Sequence, residues 1–364
     1  MKKNKKGIAM NIDSNRKDEH VELAEKQYQS HSKSDFQKVR FVHHSFPQMA
    51  TDDVSLETDL LGQQMPLPFY INGMTGGSEK TKEINQQLAE VAKACGLVMA
   101  SGSVSAAIKN PEVEDSFRII REVNPNGIVL ANLGAHHTIE NAKKAVDILE
   151  ADGMQIHINA AQELVMPEGD RDFSMWLKQI EDIVANLGVP VMVKEVGFGM
   201  SQETIRQLIN VGVQWIDVSG TGGTNFAAIE NARRTTFSFD DLENWGQSTV
   251  LSLIEAGGVN KQAHILASGG IKTPYDIVKA LSLGAEAVGL SGQFLHMVVN
   301  DGPEKTIETV RTWKEKIIAI MTLLGKKTIK ELQQTDLIFH RDLIDWCDMR
   351  SIDYRYYAKR SSVK

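Results

Sequence analysis

The sequence predicts an α/β fold, a (β/α)8 TIM barrel with an extension at each end, and three observations support this prediction. Eight short apolar runs recur between residues 66 and 300, each followed by a turn rich in Gly or Asn and an amphipathic helical segment. Five of the helical segments stop at a glycine just before the next apolar run. The repeating region also approaches the length of such a barrel, roughly 250 residues. A doubly wound open sheet is the alternative architecture.

The eight predicted strands are continuous apolar runs, which is typical of parallel strands buried on both faces. In chain order they lie at 67–73, 97–101, 128–134, 154–159, 189–196, 214–220, 264–270 and 285–292. Between them, segments such as 138–153 place Ile139, Ala142, Val146 and Leu149 on one helical face. This alternation of strand and helix predicts that the strands run parallel.

The repeating pattern divides the chain into three regions. Residues 1–65 form a polar N-terminal segment, residues 66–300 form the barrel, and residues 301–364 form an extension that we expect to be helical and to pack on the barrel. Within the barrel, residues 221–246 are too many for a simple connection. They follow the sixth strand, at the end of a barrel that carries active sites, so we expect this long loop to be functional.

Composition excludes several functional classes. Among 364 residues, 40 Lys and Arg oppose 47 Asp and Glu, and the net charge of −7 argues against a protein that binds nucleic acid or an acidic membrane. No apolar run approaches the roughly 18–20 residues of a membrane helix, and no apolar signal-peptide core follows the basic start. Cys95 and Cys347 are too few for a disulfide framework or a multi-cysteine metal site. We therefore expect a cytoplasmic protein, whether translation starts at Met1 or at Met10.

Polar side chains interrupt the predicted barrel interior near the carboxyl ends of neighbouring strands. Gln155, His157 and Asn159 alternate on one face of the fourth strand. The adjacent strands contribute Asn132, Lys194 and Ser219, and the loop after the fourth strand contributes Gln162 and Glu163. Any one of them alone is more simply explained as a core residue with satisfied hydrogen bonds. Their grouping at one end predicts the face that carries the chemistry of barrel enzymes.

The loops after the last two strands predict a phosphate site. Gly269 and Gly270 follow the seventh strand, and Ser291 and Gly292 follow the eighth. These loops form the usual phosphate pocket of barrels, because free backbone N–H groups and a helix N-terminus attract an anion. Glycine occurs at any tight turn, so the prediction depends on the position after these two strands rather than on the pattern itself.

A single acidic residue, Glu163, follows the polar fourth strand. No HExxH motif and no His/Cys cluster occurs, which argues against zinc. One carboxylate beside a phosphate group suits Mg²⁺, which takes one or two carboxylates together with phosphate oxygens and water. The alternative is a solvated loop carboxylate.

Seven segments resemble those of type 2 isopentenyl diphosphate isomerases, the FMN-dependent enzymes that interconvert isopentenyl and dimethylallyl diphosphate. The segments are RKDEH (16–20), INGMTGG (71–77), ANLG (131–134), HINAAQE (157–163), VKEVGFG (193–199), SGTGGTNFAAIENARR (219–234) and ASGGI (267–271). One loop departs from the family pattern, since Val104 stands where members usually carry the Gln of a Gly-Ser-Gln turn. The resemblance therefore does not carry a substrate contact over to that position.

The resemblance implies three groups of site residues. FMN would contact Met74, Thr75, Gly76, Ser103, Asn132, Lys194, Ser219, Thr224, Gly269, Gly270, Ser291 and Gly292. The substrate diphosphate would contact Arg16, Lys17, His20, Ser103, His157, Asn159 and Gln162, so the N-terminal segment would contribute to the substrate site. Mg²⁺ would bind Glu163 and the diphosphate. His157, Gln162 and Lys194 would be the catalytic residues, with Lys194 stabilising the negative charge of reduced FMN.

The same resemblance implies an isomerase of isoprenoid biosynthesis, in which reduced FMN acts as acid and base and NADPH only reduces the flavin. Members of the family assemble as tetramers or octamers, so we expect a homo-oligomer that acts on a small-molecule diphosphate. An FMN-dependent barrel oxidoreductase is one alternative, although the His-Gly-x-Arg pair of hydroxy-acid oxidases is absent. A non-catalytic flavin- or phosphate-binding protein is the other, and it would not need inward-facing His157 or Gln162.

Overall fold

The computed structural model describes residues 17–28, 34–259 and 262–362 of the chain. Its strands are β1 Val39–Phe41, β2 Thr58–Leu60, β3 Gln63–Met65, β4 Phe69–Ile71, β5 Met99–Ala100, β6 Val129–Gly134, β7 Gly153–His157, β8 Val191–Lys194, β9 Trp215–Asp217, β10 His264–Ser268, β11 Val288–Leu290 and β12 Leu337–Phe339. Its helices are α1 (17–27), α2 Glu79–Cys95, α3 Ser105–Lys109, α4 Asp115–Val123, α5 Ile139–Leu149, α6 Ala160–Val165, α7 Trp176–Asn186, α8 Gln202–Asn210, α9 Phe226–Arg233, α10 Thr249–Ala256, α11 Pro274–Ser282, α12 Gly292–Leu323, α13 Ile329–Leu332 and α14 Arg341–Arg350.

Strands β4 to β11 form a closed parallel barrel, in which β4 pairs with β5 on one side and with β11 on the other. Each of these eight barrel strands overlaps one of the eight apolar runs, so the predicted barrel is confirmed and the open sheet is excluded. The register places His157 of β7 beside Gly134 of β6 and Lys194 of β8. The polar ends of neighbouring strands therefore lie at one level.

The hairpin of β2 and β3 packs against the amino ends of the barrel strands. Leu60, Leu61 and Met65 of this hairpin share one buried apolar cluster with Leu130 inside the barrel. Leu61 lies so close to β7 that a Cβ on Gly153 would be 2.9 Å from its Cδ1. This packing fills the lower end of the barrel and leaves the carboxyl ends of the strands for the site.

Helix α12 links the barrel to the C-terminal extension and is kinked. Gly302 has non-helical dihedral angles (φ 78°, ψ 171°) directly before Pro303, because proline cannot donate the helical hydrogen bond and glycine tolerates positive φ. The predicted boundary between residues 300 and 301 falls beside this kink. Helix α12 packs on α2 and α11, and β12 pairs with β1 of the N-terminal segment. Where the domains begin and end stays a prediction.

The long connection after the sixth barrel strand has structure of its own. Residues 221–246 contain α9 and a short 3-10 turn at Asp240–Leu242. Among the described helices, none has the length and apolarity that a membrane crossing requires.

Candidate functional site

A cavity of about 640 Å³ opens at the carboxyl ends of the barrel strands, a size typical of small-molecule sites. It is lined by most of the residues predicted from the sequence, namely Lys17, His20, Met74, Ser103, Asn132, His157, Asn159, Gln162, Glu163, Lys194, Ser219, Thr224, Gly269, Gly270, Ser291 and Gly292. The fold thus brings together residues that are up to 275 positions apart, from Lys17 to Gly292. Arg16 lies outside the described residues.

Two of the residues expected to contact a cofactor do not lie on the cavity wall. Thr75 is 2% exposed, and its carbonyl oxygen accepts a hydrogen bond from Gly102 N at 3.0 Å. At Gly76, a Cβ would lie 2.2 Å from the ring of Phe117. Both residues therefore support the loop after β4 from behind, while Met74 reaches the wall.

The floor of the cavity is a chain of hydrogen-bonded side chains that crosses the barrel interior. His157 Nδ1 lies 2.7 Å from Asn132 Oδ1, and Asn132 Nδ2 donates to Gln155 Oε1 at 3.1 Å. Gln155 Nε2 donates to Asn72 Oδ1 at 2.9 Å, and Asn72 Nδ2 donates to Asp217 Oδ2 at 3.0 Å. Every amide in this chain thus donates in the direction of Asp217. We call these five residues the floor chain.

Asp217 is the charged end of the floor chain. It is fully buried and accepts hydrogen bonds from Ser268 Oγ at 2.8 Å, from Tyr70 OH at 3.3 Å and from Ser219 N at 3.1 Å. Burial, together with the Asp217 charge, raises the pKa of Tyr70 well above its usual value of 10. Tyr70 is therefore a permanent donor to this carboxylate.

The floor chain determines how His157 presents itself to the cavity. Because Asn132 offers an oxygen, Nδ1 of His157 carries the proton and Nε2 is left as an acceptor. Burial lowers the pKa of His157 well below 6.5, and the nearby charges of Lys194, His136 and Lys17 act in the same direction. His157 is therefore a neutral hydrogen-bond acceptor until a ligand brings negative charge close to it.

Lys194 and Glu195 lie next to each other at the end of β8. Lys194 is 5% exposed and donates from Nζ to Glu195 O at 2.8 Å. Burial lowers its pKa, although the charges of Asp217 and Glu195 oppose this shift. The Glu195 carboxylate accepts from the backbone N–H groups of residues 196–198 at 2.7, 3.0 and 2.7 Å. Burial nevertheless raises the pKa of Glu195 to about 7.

Another buried carboxylate, Glu230 of α9, connects three parts of the cavity wall. Gln162 Nε2 donates to Glu230 Oε1 at 2.9 Å, and Arg233 donates to Glu230 Oε2 at 2.5 Å. His20 Nε2 of α1 lies 3.2 Å from Glu230 Oε1. Burial alone would raise the pKa of Glu230, but the hydrogen bonds and the Arg233 charge outweigh it and hold the pKa at about 2. Burial lowers the pKa of His20, and its Nε2 lies close to the carboxylate without meeting hydrogen-bond geometry.

Helix α1 lies across the mouth of the cavity and is attached on both sides. On one side, Ser78 Oγ donates to Asp18 at 2.5 Å at the start of α2. On the other side, Tyr28 donates to Gln293 Oε1 at 2.5 Å, and its ring stacks on His296 at 3.9 Å. The described part of the N-terminal segment therefore covers the cavity and places Lys17 and His20 on its wall.

Glu163 is held in place through both of its carboxylate oxygens. Oε1 accepts from Asn159 Nδ2, and Oε2 accepts from Asp170 N, both at 2.9 Å. Arg171 donates to the carbonyl oxygens of Glu163 and Met166 at the end of α6. No group of three or more His, Cys, Asp or Glu side chains among the described residues could hold a metal ion without help. A cation here would depend on oxygen atoms from water and from a bound ligand.

The opposite part of the cavity is lined by backbone rather than by side chains. Gly269 has φ +85°, and a Cβ there would lie 2.1 Å from Gly220 O. A Cβ on Gly270 would lie 3.2 Å from Gly222 Cα, so the loops after β9 and β10 touch through their main chains. The N–H groups of Gly269 and Gly270 donate to no acceptor in the described chain. Unpaired amides in such a cradle fit a phosphate group.

Val104, the residue that differs from the family pattern, points away from the cavity. Its side chain is fully buried, and its N–H donates to Asn132 O at 2.9 Å. The neighbouring Ser103 and Ser105 face the cavity instead. An apolar residue at position 104 therefore anchors the loop and makes no contact with the cavity.

Similarity to known proteins decides the family. The sequence pattern of the FMN-dependent dehydrogenase family matches residues 120–339. The isopentenyl-diphosphate delta-isomerase of Latilactobacillus sakei subsp. sakei is 53% identical over 341 residues, which cover 94% of this chain and 97% of the relative. The protein of the same name from a Streptomyces species is 48% identical over 348 residues, 95% of each chain. The chain belongs to the isopentenyl-diphosphate delta-isomerase family.

Solved structures resemble this isomerase-family chain in fold. A flavocytochrome b2 variant with bound sulfite has a TM-score of 0.60 and 22% identity, and it covers 82% of this chain and 75% of its own. A putative lactate oxidase from Pediococcus acidilactici has a TM-score of 0.63, 17% identity and 84% coverage of both chains. Identity this low supports the shared barrel and nothing finer.

Sequence reasoning missed three carboxylates around this isomerase-family cavity. Asp217 is the one charged residue in its apolar strand, and its alternation with Trp215 could have placed it inside the barrel. Glu195 and Glu230 carry no comparable pattern. Glu195 directly follows Lys194 at the end of a strand, where a polar residue is common. Glu230 lies in a helical segment 68 positions from Gln162.

Proposed function

We propose that this protein interconverts isopentenyl diphosphate and dimethylallyl diphosphate in isoprenoid biosynthesis, using FMN, with Mg²⁺ on the diphosphate and NADPH as the flavin reductant. The observation that carries the proposal is the composition of one cavity in a chain of this family. A backbone cradle for one phosphate group lies in the same cavity as a separate polar wall with Lys17, Asn159 and Glu163. A flavin phosphate and a substrate diphosphate need two such sites.

The residues around the backbone cradle fit FMN. Its unpaired amides suit the phosphate, and the remaining contacts would come from Met74, Ser103, Asn132, Lys194, Ser219, Thr224, Ser291 and Gly292, supported from behind by Thr75 and Gly76. Reduced FMN, when bound, supplies the acid and base that exchange protons with substrate carbons. Lys194 would stabilise negative charge on the reduced flavin, because its ammonium group is buried beside the cavity.

The polar wall supports binding of the diphosphate. Lys17, and Arg16 beyond the described residues, would contribute positive charge, and Ser103, Asn159 and Gln162 would contribute hydrogen bonds. His157 Nε2 would face the same group, and the negative charge of the diphosphate would favour a proton on it. Remote binding of this kind positions an apolar isoprenoid chain over the reacting centre.

The Glu230 contacts support a role for Gln162 and His20 close to the reacting atoms. Glu230 holds the Gln162 amide through its nitrogen, so the oxygen of that amide is turned away from Glu230. His20 of α1 contacts the same carboxylate, which couples closure of the helix over the cavity to the orientation of Gln162. A covered cavity also excludes water from any cationic stage of double-bond migration.

Glu163 fits a single-carboxylate Mg²⁺ site. Both of its oxygens are already oriented by Asn159 and Asp170, and Asn159 Oδ1 is a buried oxygen without a hydrogen-bond partner. In the proposed function Glu163→Gln abolishes the Mg²⁺ dependence and most turnover, while the FMN content is unchanged. Loss of the flavin in that variant would instead place Glu163 in contact with the cofactor.

An anaerobic turnover assay distinguishes this isomerase from an FMN-dependent oxidoreductase. The enzyme is given isopentenyl diphosphate, Mg²⁺ and NADPH limited to about the enzyme concentration, in D₂O. We expect dimethylallyl diphosphate in large excess over oxidised NADPH, with solvent deuterium in its carbon skeleton, because substrate and product have the same oxidation level. Product equal to NADPH consumed, or product without deuterium, would favour the oxidoreductase. A protein that releases FAD, or that binds no flavin, would contradict both.

We also propose that the protein works in the cytoplasm as a homo-oligomer, a tetramer or an octamer as in the family it resembles. Light scattering coupled to size-exclusion chromatography of the FMN-loaded protein tests the assembly. A monomer under those conditions would contradict the proposal.

A further inference from the structure

A hydrogen-bonded chain of side chains that the proposed function does not use ends at the cavity wall. His137, between β6 and α5, is 6% exposed and lies behind the wall, whereas Ser103 and Ser105 lie on it. His137 Nε2 is 2.5 Å from Ser105 Oγ. On the other side of the ring, Asn141 Nδ2 is 3.1 Å from His137 Nδ1.

The partners of His137 determine which ring nitrogen carries the proton. The amide nitrogen of Asn141 donates, so Nδ1 must accept, and a neutral ring then carries its proton on Nε2. Burial lowers the pKa of His137 to about 3, and the charges of His136 and Lys109 act in the same direction. The ring is therefore neutral, and Nε2 donates to Ser105.

Ser105 consequently has its own proton left for a ligand. Its oxygen accepts from His137 Nε2 and also from Ser103 Oγ, which lies 3.1 Å away. A hydroxyl oxygen has two lone pairs, and both are occupied here, so the Ser105 proton must point elsewhere. The loop itself is anchored by the bond from Val104 N to Asn132 O.

We propose that His137 is a positioning residue that directs the Ser105 hydroxyl proton at an anion in the cavity. Lys109, at the other end of α3, also lines the cavity and forms no ion pair with another described residue. A hydroxyl donor beside an ammonium group is suited to the terminal oxygens of a diphosphate. The choice of a diphosphate as this anion rests on the proposed function.

Binding of inorganic pyrophosphate to the FMN-loaded protein, measured by calorimetry, tests the role of His137 without turnover. Ser105→Ala should weaken binding about 10-fold, the effect of one hydrogen bond to a charged group. His137→Leu should weaken it by a similar factor, and the double variant should bind no worse than Ser105→Ala alone. His137→Gln places an amide N–H near the former Nε2, so it should restore most of the affinity. Losses that multiply in the double variant would overturn the proposal.

Asn141→Asp tests the direction of the hydrogen bonds. A carboxylate opposite Nδ1 accepts a proton there, so Nε2 becomes an acceptor and takes the Ser105 proton away from the ligand. We expect the same loss as in Ser105→Ala and no further loss when the two changes are combined. Lys143→Ala on the exposed side of α5 makes the same change in net charge and should have little effect. A loss that persists in the Ser105→Ala background would reflect charge repulsion and would contradict the proposal.

The measurements separate this inference from the proposed function. Pyrophosphate binding that responds as described in a protein without isomerase turnover would retain the role of His137 and reject the isomerase. Normal turnover, together with a KM and a pyrophosphate affinity that Ser105→Ala and His137→Leu leave unchanged, would support the isomerase and reject the role of His137. Flavin absorbance and thermal unfolding verify that each variant is folded and carries FMN. If His137→Leu does not fold, the comparison of Asn141→Asp alone with Asn141→Asp in the Ser105→Ala background decides.

Discussion

The floor of the cavity and its rim are stabilised in opposite ways. On the floor, amide groups of neighbouring strands connect His157 on the cavity wall to the fully buried Asp217. On the rim, α1 is attached by ion pairs with exposed partners, such as Glu22 with Lys80. The floor is set by strand register, whereas the rim depends on charges that salt and pH weaken.

This difference indicates which part of the site is preorganised and which part can respond to a ligand. The floor residues are held to one another by hydrogen bonds between barrel strands, so we expect their orientation to change little when a molecule binds. The rim combines buried contacts, such as His20 with Glu230, with surface contacts that cost little to break. We therefore expect changes on the floor to affect folding and flavin binding, and changes on the rim to affect turnover.

Asp217→Asn should have the largest effect. The substitution removes the negative charge of the carboxylate that accepts hydrogen bonds from Asn72, Ser268 and Tyr70. The NH₂ group of the new amide at position 217 must then face some of these donors. We expect a loss of about 3 kcal/mol in the free energy of unfolding, together with reduced FMN content. Urea unfolding and the flavin absorbance measure both. Asp147→Asn on the exposed face of α5 is the control. An equal loss of stability in that variant would contradict the larger contribution that we assign to the floor chain.

Glu230→Gln should affect turnover more than folding. The substitution leaves the Arg233 guanidinium without its nearest carboxylate and frees the Gln162 amide. We expect kcat/KM to fall at least about 10-fold, equivalent to ~1.4 kcal/mol, with FMN content unchanged. Steady-state kinetics of the FMN-loaded enzyme measures this. Glu19→Gln, which removes a more exposed partner of the same Arg233 at 3.3 Å, should change kcat/KM far less.

Glu195 should make stability fall with rising pH, which is opposite to the effect of Glu230, whose pKa is lowered to about 2. The Glu195 carboxylate accepts from three backbone amides, and burial raises its pKa from 4.5 to about 7. The folded protein then binds more protons than the unfolded chain between pH 4.5 and 7, so this group makes stability fall as pH rises through that window. Glu195→Gln should flatten the profile by up to about 1.4 kcal/mol per pH unit. Thermal unfolding from pH 5 to 8 measures the slope, and an unchanged slope would contradict the assignment.

Lys80→Ala should have the smallest effect. Its ion pair with Glu22 attaches α1 to α2 through side chains that are 45% and 58% exposed. We expect a change in melting temperature within replicate scatter and a small rise in KM that disappears at high salt. A large loss of stability would show that the rim is as firmly built as the floor.

The fold was predictable because each strand carries its own pattern. The eight apolar runs and their glycine stops depend on local sequence, and hydrophobic periodicity reports local structure directly. The polar positions of β7 were predictable for the same reason, since Gln155 and His157 interrupt an otherwise apolar alternation.

The site was predictable only where a pattern or a resemblance marked it. Thr75 and Gly76 belong to a loop motif, but a motif does not tell which of its residues face the cavity, and these two lie behind the wall. Glu230 meets Gln162 and His20 only after the chain has folded, so no spacing along the sequence relates them. His137 shows the same limit, because its neighbour Ser105 is 32 positions away.

The pairing of β1 with β12 joins the two ends of the described chain late in synthesis. Val39 pairs with Phe339, so the strand that follows α1 acquires its partner only after almost the whole polypeptide has left the ribosome. The barrel strands β4 to β11 are all made earlier and need no contribution from that pair. Contacts so distant in sequence form slowly. A nascent chain of this protein therefore has its barrel before β1 is paired, and the N-terminal segment is joined to the C-terminal extension last.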